Sequence, residues 1–349
     1  MTIISKKQMS EEDIKLQYIT PAITAKWDIN KITMETNITD GRINLKGNFV
    51  TREKPKRADY VLYLNSNNPI AIVEAKDNKH SISHGLQQAM AYASMLDIPF
   101  AYSSNGDGFF EHDFLTGKER ELGLDEFPTE EELYCRYKNG ANNGEGLSEN
   151  QEKMIQQPYY SSQKTYPPRY YQRIAINRTV DAISRGKDRL LLVMATGTGK
   201  TRTASSLTDV LSRGGYVTNI LFLADRTALV KQAKDDFKNY LPDMSLCNLC
   251  SNKDDRTARI VFSTYPTMLN AIDSTKTKDG MKLFTPAHFD LIIVDESHRS
   301  IFKKYRAIFE YFDAILVGLT ATPKTDVDRN TYDFFEMEHG VPTYAYDYE

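Results

Sequence analysis

The chain has 349 residues, of which 40% are hydrophobic and 26% are charged, as is typical of a globular protein with roughly two or three domains. A formal net charge of −3 excludes a uniformly basic nucleic-acid binder, so any nucleic-acid site must be a local patch. Residues 1–7 lack an apolar signal-peptide core, and no apolar run approaches the roughly 20 residues that span a bilayer. We therefore expect a cytoplasmic protein with no membrane segment.

The first predicted element is a helix that begins at Ser10. Ser10 is a helix-capping residue, and apolar residues follow at Ile14, Ile19 and Ile23 with helical spacing. The Glu or Gln that completes a capping box is absent from its usual place. We expect Pro21 to bend the helix or to end its first part.

A predicted hairpin brings three charged side chains together. Residues 58–64 and 70–76 are predicted strands, and turn-forming residues join them. Because side chains alternate along a strand, Glu74 and Lys76 face the same way, and Asp59 on the neighbouring strand supplies a second carboxylate. Two carboxylates bind Mg²⁺ through oxygen, and the lysine positions the attacking water or stabilises charge on a phosphorane. A surface ion pair at a solvated hairpin end is the alternative interpretation.

These three charged residues resemble the catalytic pattern of PD-(D/E)xK nucleases, with Ala58 in the place of proline. A helix is predicted over 81–96, where Gln88 and Tyr92 lie on one face. They resemble the Q-x-x-x-Y extension of the same nuclease family, which implies a catalytic role for both. Ordinary helix surface is the alternative interpretation of this pair.

A polar stretch separates two predicted domains. Residues 138–166 are rich in turn formers and begin with almost no apolar content, so they are predicted to be a linker. The first domain is then 1–137, and the second is 167–349.

The second domain is organised around a glycine-containing turn. Residues 190–193 predict a buried parallel strand, and 203–211 predict a helix. The glycines between them allow a tight turn, and the turn and the helix N-terminus direct backbone N–H groups at a phosphate. Lys200 is expected to reach the β- and γ-phosphates and Thr201 to ligate Mg²⁺, although Met194 stands where the usual pattern has its first glycine. The candidate phosphate-binding residues, called the phosphate loop here, are Thr196, Gly197, Thr198, Gly199, Lys200 and Thr201.

Two further positions complete the predicted nucleotide site. Asp295 emerges from an apolar strand and is expected to hold Mg²⁺ through a water, while Glu296 activates the attacking water. Upstream, the amide of Gln172 offers a donor and an acceptor that match an adenine edge, and Tyr170 or Tyr171 is placed to stack on the base. Cys247 and Cys250 have CxxC spacing, but no second Cys or His pair lies at zinc-finger distance, so we interpret them as ordinary thiols.

In order and spacing, these segments resemble the motifs of superfamily 2 helicases, including the Asp-Glu-Ser-His version of the DEAD/DEAH box at 295–298. The resemblance implies that several strand-end residues touch DNA or couple the nucleotide site to DNA: Arg226, Thr227, Thr264, His298, Thr320 and Thr322. Polar residues at the carboxyl ends of parallel strands fit such a site.

A PD-(D/E)xK nuclease followed by a superfamily 2 motor resembles the restriction (R) subunit of type I restriction-modification enzymes. The resemblance implies an α/β fold, with a restriction-endonuclease-like domain before a RecA-like, doubly wound parallel-sheet motor lobe. It also implies ATP-dependent DNA translocation, Mg²⁺-dependent double-strand cleavage, and methylation and specificity subunits as partners.

Two other functions remain open from the sequence. One is a stand-alone helicase-nuclease of DNA repair or defence, and the other is a catalytically inert DNA-binding fragment. The sequence ends at Glu349, about where the resemblance places the end of a first motor lobe, so we expect this chain alone to bind ATP weakly and hydrolyse it very slowly.

Overall fold

The computed structural model describes residues 5–39, 43–46, 49–52, 56–159, 167–251, 257–273, 282–295, 305–323 and 331–347. The chain divides into two compact units, Met1–Pro158 and Tyr159–Tyr348. Within the described residues, no helix combines the length and apolar character that crossing a membrane requires.

The first unit is built on a mixed β-sheet. Its strands are β1 (Ile32–Thr39), β4 (Lys56–Asn65), β5 (Asn68–Ala75), β6 (Phe100–Ser104), β7 (Gly108–Asp113) and β8 (Lys118–Gly123), and they lie side by side in that order among the described residues. Only β5 and β6 pair in parallel, whereas the other neighbours in this sheet are antiparallel. β2 (Ile43–Lys46) and β3 (Phe49–Arg52) form a separate antiparallel pair.

Helices cover this sheet and close its core. They are α1 (Glu11–Ile14), α2 (Thr20–Thr24), α3 (Leu86–Leu96), α4 (Glu130–Gly140) and α5 (Glu149–Ile155), with a π-helical turn (Lys15–Ile19) between the first two. Ile14, Ile19 and Ile23 are fully buried, which confirms the predicted apolar face. Ser10 and Asp13 form a capping box, because aspartate takes the role that glutamate or glutamine usually has.

The predicted linker, 138–166, differs from the structure. Its first part belongs to the first unit, because α4 runs beyond 137 and α5 follows it. Ser148 and Gln151 form a capping box that starts α5. The carbonyl of Ile155 then accepts a hydrogen bond of 2.7 Å from the side chain of Asn65, which fixes this helix to the β4–β5 turn.

The second unit is a parallel sheet with alternating helices. Its strands are β9 (Arg189–Met194), β10 (Ile220–Ala224), β11 (Leu246–Asn248), β12 (Ile260–Thr264), β13 (Leu291–Asp295), β14 (Ile315–Thr320) and β15 (Tyr344–Tyr346). Within the described ranges the order is β11-β12-β10-β13-β14-β9-β15, and every neighbouring pair is parallel. The helices include α6 (Tyr170–Ser184), α7 (Lys200–Arg213), α8 (Thr227–Tyr240), α9 (Tyr265–Asp273) and the short helices Arg306–Tyr311 and Thr331–Phe334.

The register of this sheet gathers strand ends that are far apart in sequence. β14 lies between β9 and β13, with Thr320 paired to Val193 and Leu319 paired to Asp295. Parallel strands expose their carboxyl ends at one edge, where open α/β sheets bind ligands. The predicted fold class is confirmed: both units are α/β, and the second is built on an open parallel sheet.

Candidate active sites

Asp59 on β4 and Glu74 on β5 form an acidic pair in the first unit. The backbone N–H of Asp59 donates to Glu74 Oε1 at 3.3 Å, and the N–H of Ala75 donates to Asp59 Oδ2 at 2.8 Å. The two residues are 9% and 1% exposed, respectively. Each carboxylate therefore accepts a hydrogen bond from the opposite strand, and the antiparallel pairing holds both in place.

The acidic pair offers carboxylate oxygens that a divalent cation could bind, and the cation would favour their ionised form. Burial, and then the neighbouring Asp59 carboxylate, raises the pKa of Glu74 to about 8, although the charge of Lys76 opposes this rise. Among the described residues, no three His, Cys, Asp or Glu side chains converge as a metal-binding group. The protein thus offers two carboxylates, which suits Mg²⁺, because this ion commonly combines one or two carboxylates with water and substrate phosphate.

Gln88 and Tyr92 lie together on α3. Gln88 Nε2 donates to the Tyr92 hydroxyl at 3.2 Å. Burial, and to a smaller extent the charges of Glu74 and Asp59, raises the pKa of Tyr92, so its hydroxyl lies within electrostatic reach of the acidic pair. The helix thus brings the predicted Gln/Tyr pair to the same region as the carboxylates.

Lys76 directly follows β5 and is half-buried. Its backbone N–H donates to the carbonyl of Ser104 at 2.8 Å, which continues the β5–β6 pairing by one residue. Its charge acts on Glu74 and on Glu11 of α1, and it lowers the pKa of each against the effect of burial. The charge of Lys76 thus acts on the acidic pair, and its predicted catalytic role stays a prediction.

A second lysine at this site was not predicted from the sequence. Lys15 Nζ lies 2.5 Å from Asp59 Oδ1, 2.9 Å from Glu12 Oε1 and 3.0 Å from Glu35 Oε1. Lys15 is only 2% exposed. A sequence signal existed, because Lys15 is four residues before Ile19 and so lies on the apolar side of the helical pattern.

In the second unit, the phosphate loop turns tightly into α7. Gly197 and Gly199 have φ of 84° and 80°, a conformation that residues with a Cβ rarely adopt. α7 begins at Lys200 rather than at Thr203, and its N-cap glycine provides no side-chain cap. A helix N-terminus without a side-chain cap, after a turn of this kind, is typical of phosphate-binding sites.

The side chains of the phosphate loop differ in exposure. Thr196 is exposed, and Lys200 and Thr201 are half-buried. Thr198 is buried, and its hydroxyl donates to the carbonyl of Ala195 at 2.7 Å. Thr198 thus supports the turn through its side chain, while the other residues line its outer surface.

Gln172 has a different contact from the one expected. Its Nε2 donates to the carbonyl of Thr198 at 2.8 Å, and its Oε1 accepts from the backbone N–H of Arg169 at 2.9 Å. Both ends of the amide are therefore engaged with the protein, and the side chain supports the phosphate loop instead of facing a base. Nearby, Tyr171 stacks on Tyr346 with ring centroids 4.2 Å apart.

Asp295 and Thr320 lie at the sheet edge that carries the phosphate loop. Asp295 is half-buried at the end of β13, and Thr320 is fully buried at the end of β14. The Thr320 hydroxyl accepts from the backbone N–H of Thr322 at 3.3 Å, which shapes the turn after β14. Glu296 and His298 lie outside the described residues.

The remaining predicted DNA-contact residues follow β10 and β12. Arg226 and Thr227 are exposed at the start of α8. Thr264 is buried, and its hydroxyl is 2.9 Å from that of Thr267. Arg226 and Thr227 can thus contact a ligand directly, whereas the buried Thr264 hydroxyl contacts Thr267 at the start of α9.

Comparisons with known proteins match a different family to each of the two units. The family described as "Type I restriction enzyme R protein N terminus (HSDR_N)" matches residues 23–128, and the family "Type III restriction enzyme, res subunit" matches residues 165–325. The endonuclease subunit of the type I restriction enzyme EcoAI from Escherichia coli is 37% identical over 99% of this chain. The chain is thus HsdR-like: it resembles type I restriction enzyme R subunits over nearly its whole length. The predicted resemblance to such R subunits is therefore confirmed.

Two further relatives show the same resemblance. The endonuclease subunit of EcoKI from Escherichia coli K12 is 26% identical over 83% of this chain. A solved fragment from Vibrio vulnificus YJ016, described as an HsdR subunit of a type I restriction enzyme, superposes with a TM-score of 0.76 at 36% identity and covers 97% of this chain. The chain spans 42% of the EcoAI subunit, 29% of the EcoKI subunit and 59% of the solved fragment.

Proposed function

We propose that this HsdR-like chain combines a Mg²⁺-dependent DNA endonuclease in its first unit with an ATP-dependent DNA translocase lobe in its second. The cleavage assignment is carried by the acidic pair, in which Asp59 and Glu74 are fixed across one hairpin and burial raises the pKa of Glu74 to about 8. Such an arrangement is unfavourable as a purely structural element and fits a divalent cation.

In the nuclease site, the residues of the chain hold and orient the reactants. Asp59 and Glu74 would hold Mg²⁺, which supplies a polarised phosphodiester and a more acidic bound water. Lys76 would stabilise charge that develops on the phosphate, because its positive charge acts on Glu74 of the pair. Gln88 would orient Tyr92 through their hydrogen bond, so that the hydroxyl is positioned toward the scissile strand.

In the motor lobe, the phosphate loop would bind the phosphates of ATP. Lys200 would contact the β- and γ-phosphates, and Thr201 and Asp295 would hold Mg²⁺ at the sheet edge. Glu296 would position the attacking water. Gln172 would act through its bond to the loop, since its amide supports the carbonyl of Thr198.

The proposed partners are double-stranded DNA and the methylation and specificity subunits of the same system. Arg226 and Thr227 are the exposed candidates for contact with the DNA backbone. Thr264, His298, Thr320 and Thr322 are proposed to couple the nucleotide site to DNA.

The test is to separate the two activities in the enzyme assembled with methylation and specificity subunits, ATP and Mg²⁺. Lys76→Ala should abolish DNA cleavage and retain DNA-stimulated ATPase, because Lys76 and the phosphate loop belong to different units. Lys200→Ala should abolish ATPase and, with it, cleavage far from the recognition site. The exposed Lys79→Ala is the matched control for Lys76 and should retain both activities. Loss of both activities in Lys76→Ala with unchanged folding would contradict the assignment.

A further inference from the structure

The buried ammonium of Lys15 is shared by several carboxylates. Besides its contacts of 2.5–3.0 Å to Asp59, Glu12 and Glu35, it lies 3.7 Å from Glu11 Oε1. A lysine ammonium has three donors, and the three shorter contacts can use all of them. Four carboxylates around one ammonium favour its charged form, because opposite charges at these distances stabilise each other. Lys15 is therefore a permanent positive charge in the acidic site.

The position of this charge relative to the acidic pair is specific. Asp59 accepts from the N–H of Ala75 through Oδ2 and contacts Lys15 through Oδ1. Both oxygens of Asp59 are thus already engaged, Oδ1 by an ammonium group and Oδ2 by a backbone N–H. Without the Lys15 ammonium, these carboxylates would lose the cation that they share. The charge of Lys76 acts on Glu11 and Glu74 and would remain.

The backbone is irregular at both sides of this contact. Lys15 begins the π-helical turn, and such turns often occur at functional sites. Glu35 has φ of 49°, a left-handed conformation that is unfavourable for a residue with a side chain. It lies on β1 between the residues that pair with Tyr60 and Ala58, which places it opposite Asp59. A conformation of this kind persists only where the surroundings hold it, and the bond from Lys15 provides such a restraint.

We propose that the Lys15 ammonium is a built-in cation of the nuclease site, which holds Asp59 in its metal-binding position before metal arrives and competes with the metal for that carboxylate. This role rests on the proposed nuclease function. Lys15 is a positioning residue here, because it acts through Asp59 and not on DNA.

The experiment compares the 349-residue chain with Lys15→Met and Lys15→Arg variants in EDTA and across a Mn²⁺ titration. Unfolding is followed by the fluorescence of Trp27, which is the only tryptophan of the sequence and is buried in the core of the first unit. In EDTA, Lys15→Met should have a lower melting temperature than the wild type. Saturating Mn²⁺ should raise the melting temperature of the variant by more than it raises that of the wild type. The Mn²⁺ midpoint of the variant should fall about tenfold, the order expected when one competing charge is lost. Lys15→Arg keeps the charge and should behave like the wild type.

Asp59→Ala separates failure of this inference from failure of the nuclease assignment. If Mn²⁺ stabilises the wild type but not Asp59→Ala, the metal site stands, and an unchanged Mn²⁺ midpoint in Lys15→Met would overturn the role of Lys15 alone. If Mn²⁺ stabilises neither the wild type nor any variant, the proposed metal site fails, and the role of Lys15 fails with it. If Lys15→Met does not fold in EDTA, refolding in Mn²⁺ must restore the Trp27 signal, and failure to restore it would also overturn the inference.

Discussion

Glu74 should make the metal-free protein lose stability as the pH rises. Its pKa is about 8 in the folded protein and 4.5 as an ordinary glutamate, so between these values the folded state keeps a proton that the unfolded state releases. For a group whose folded pKa is raised in this way, stability decreases through that window, by up to about 1.4 kcal/mol per pH unit. Over the whole window the loss is on the order of 3–5 kcal/mol.

Glu74→Gln removes this titration and keeps the shape of the side chain. Its amide oxygen can still accept the bond from the N–H of Asp59. In EDTA, we expect the variant to match the wild type near pH 5 and to exceed it by about 3 kcal/mol near pH 8. Millimolar Mn²⁺ should then favour the wild type, because the metal stabilises the ionised carboxylate.

The assay is urea denaturation followed by Trp27 fluorescence at several pH values. Glu121→Gln, an exposed carboxylate on β8, is the matched control and should leave the pH dependence unchanged. A stability difference between wild type and Glu74→Gln that stays constant from pH 5 to pH 8 would refute the reasoning, because it would mean that Glu74 does not titrate in this range.

Other expected outcomes concern folding and nucleotide binding. Glu111 is buried, but hydrogen bonds from Arg136 and its neighbours outweigh burial and lower its pKa to about 2. In urea denaturation, Glu111→Gln should therefore lower the free energy of unfolding by about 3 kcal/mol at pH 7. The loss should become smaller as the pH falls from about 4.5 to 2, where the wild-type carboxylate takes up its proton. In Gly318→Ala, the new Cβ would lie 2.2 Å from Phe335 Cζ. Thermal denaturation should therefore show a free energy of unfolding that is lower by about 1–3 kcal/mol, and adding Phe335→Leu should recover part of this stability. In Lys200→Ala, a fluorescent ATP analogue should bind at least about tenfold more weakly, and unchanged binding would argue against the phosphate-loop assignment.

The acidic pair could be predicted because its geometry is local. Asp59 and Glu74 lie on consecutive strands joined by a short turn, so strand alternation determines which side chains face each other. The same holds for the phosphate loop, where glycine positions mark the turn. The parallel sheet could also be predicted, because its apolar strands alternate with helical segments along the chain.

Contacts between distant segments could not be predicted in the same way. Glu35 contacts Lys15 and has a positive φ within β1, a conformation that a glutamate in a predicted strand does not indicate. The bond from Gln172 to Thr198 depends on how α6 packs beside a loop that comes later in the chain. α5 could not be predicted for another reason. Its capping pair, Ser148 and Gln151, lies within a stretch of turn-forming residues that favours a linker.

The most direct test of the central claim is an anomalous difference map from crystals of the chain grown with Mn²⁺. The account predicts a peak between the carboxylates of Asp59 and Glu74, which disappears in Asp59→Ala crystals grown in the same way. A map with no peak at this pair, in crystals where Mn²⁺ is bound elsewhere, would contradict the assignment of the first unit as a metal-dependent nuclease.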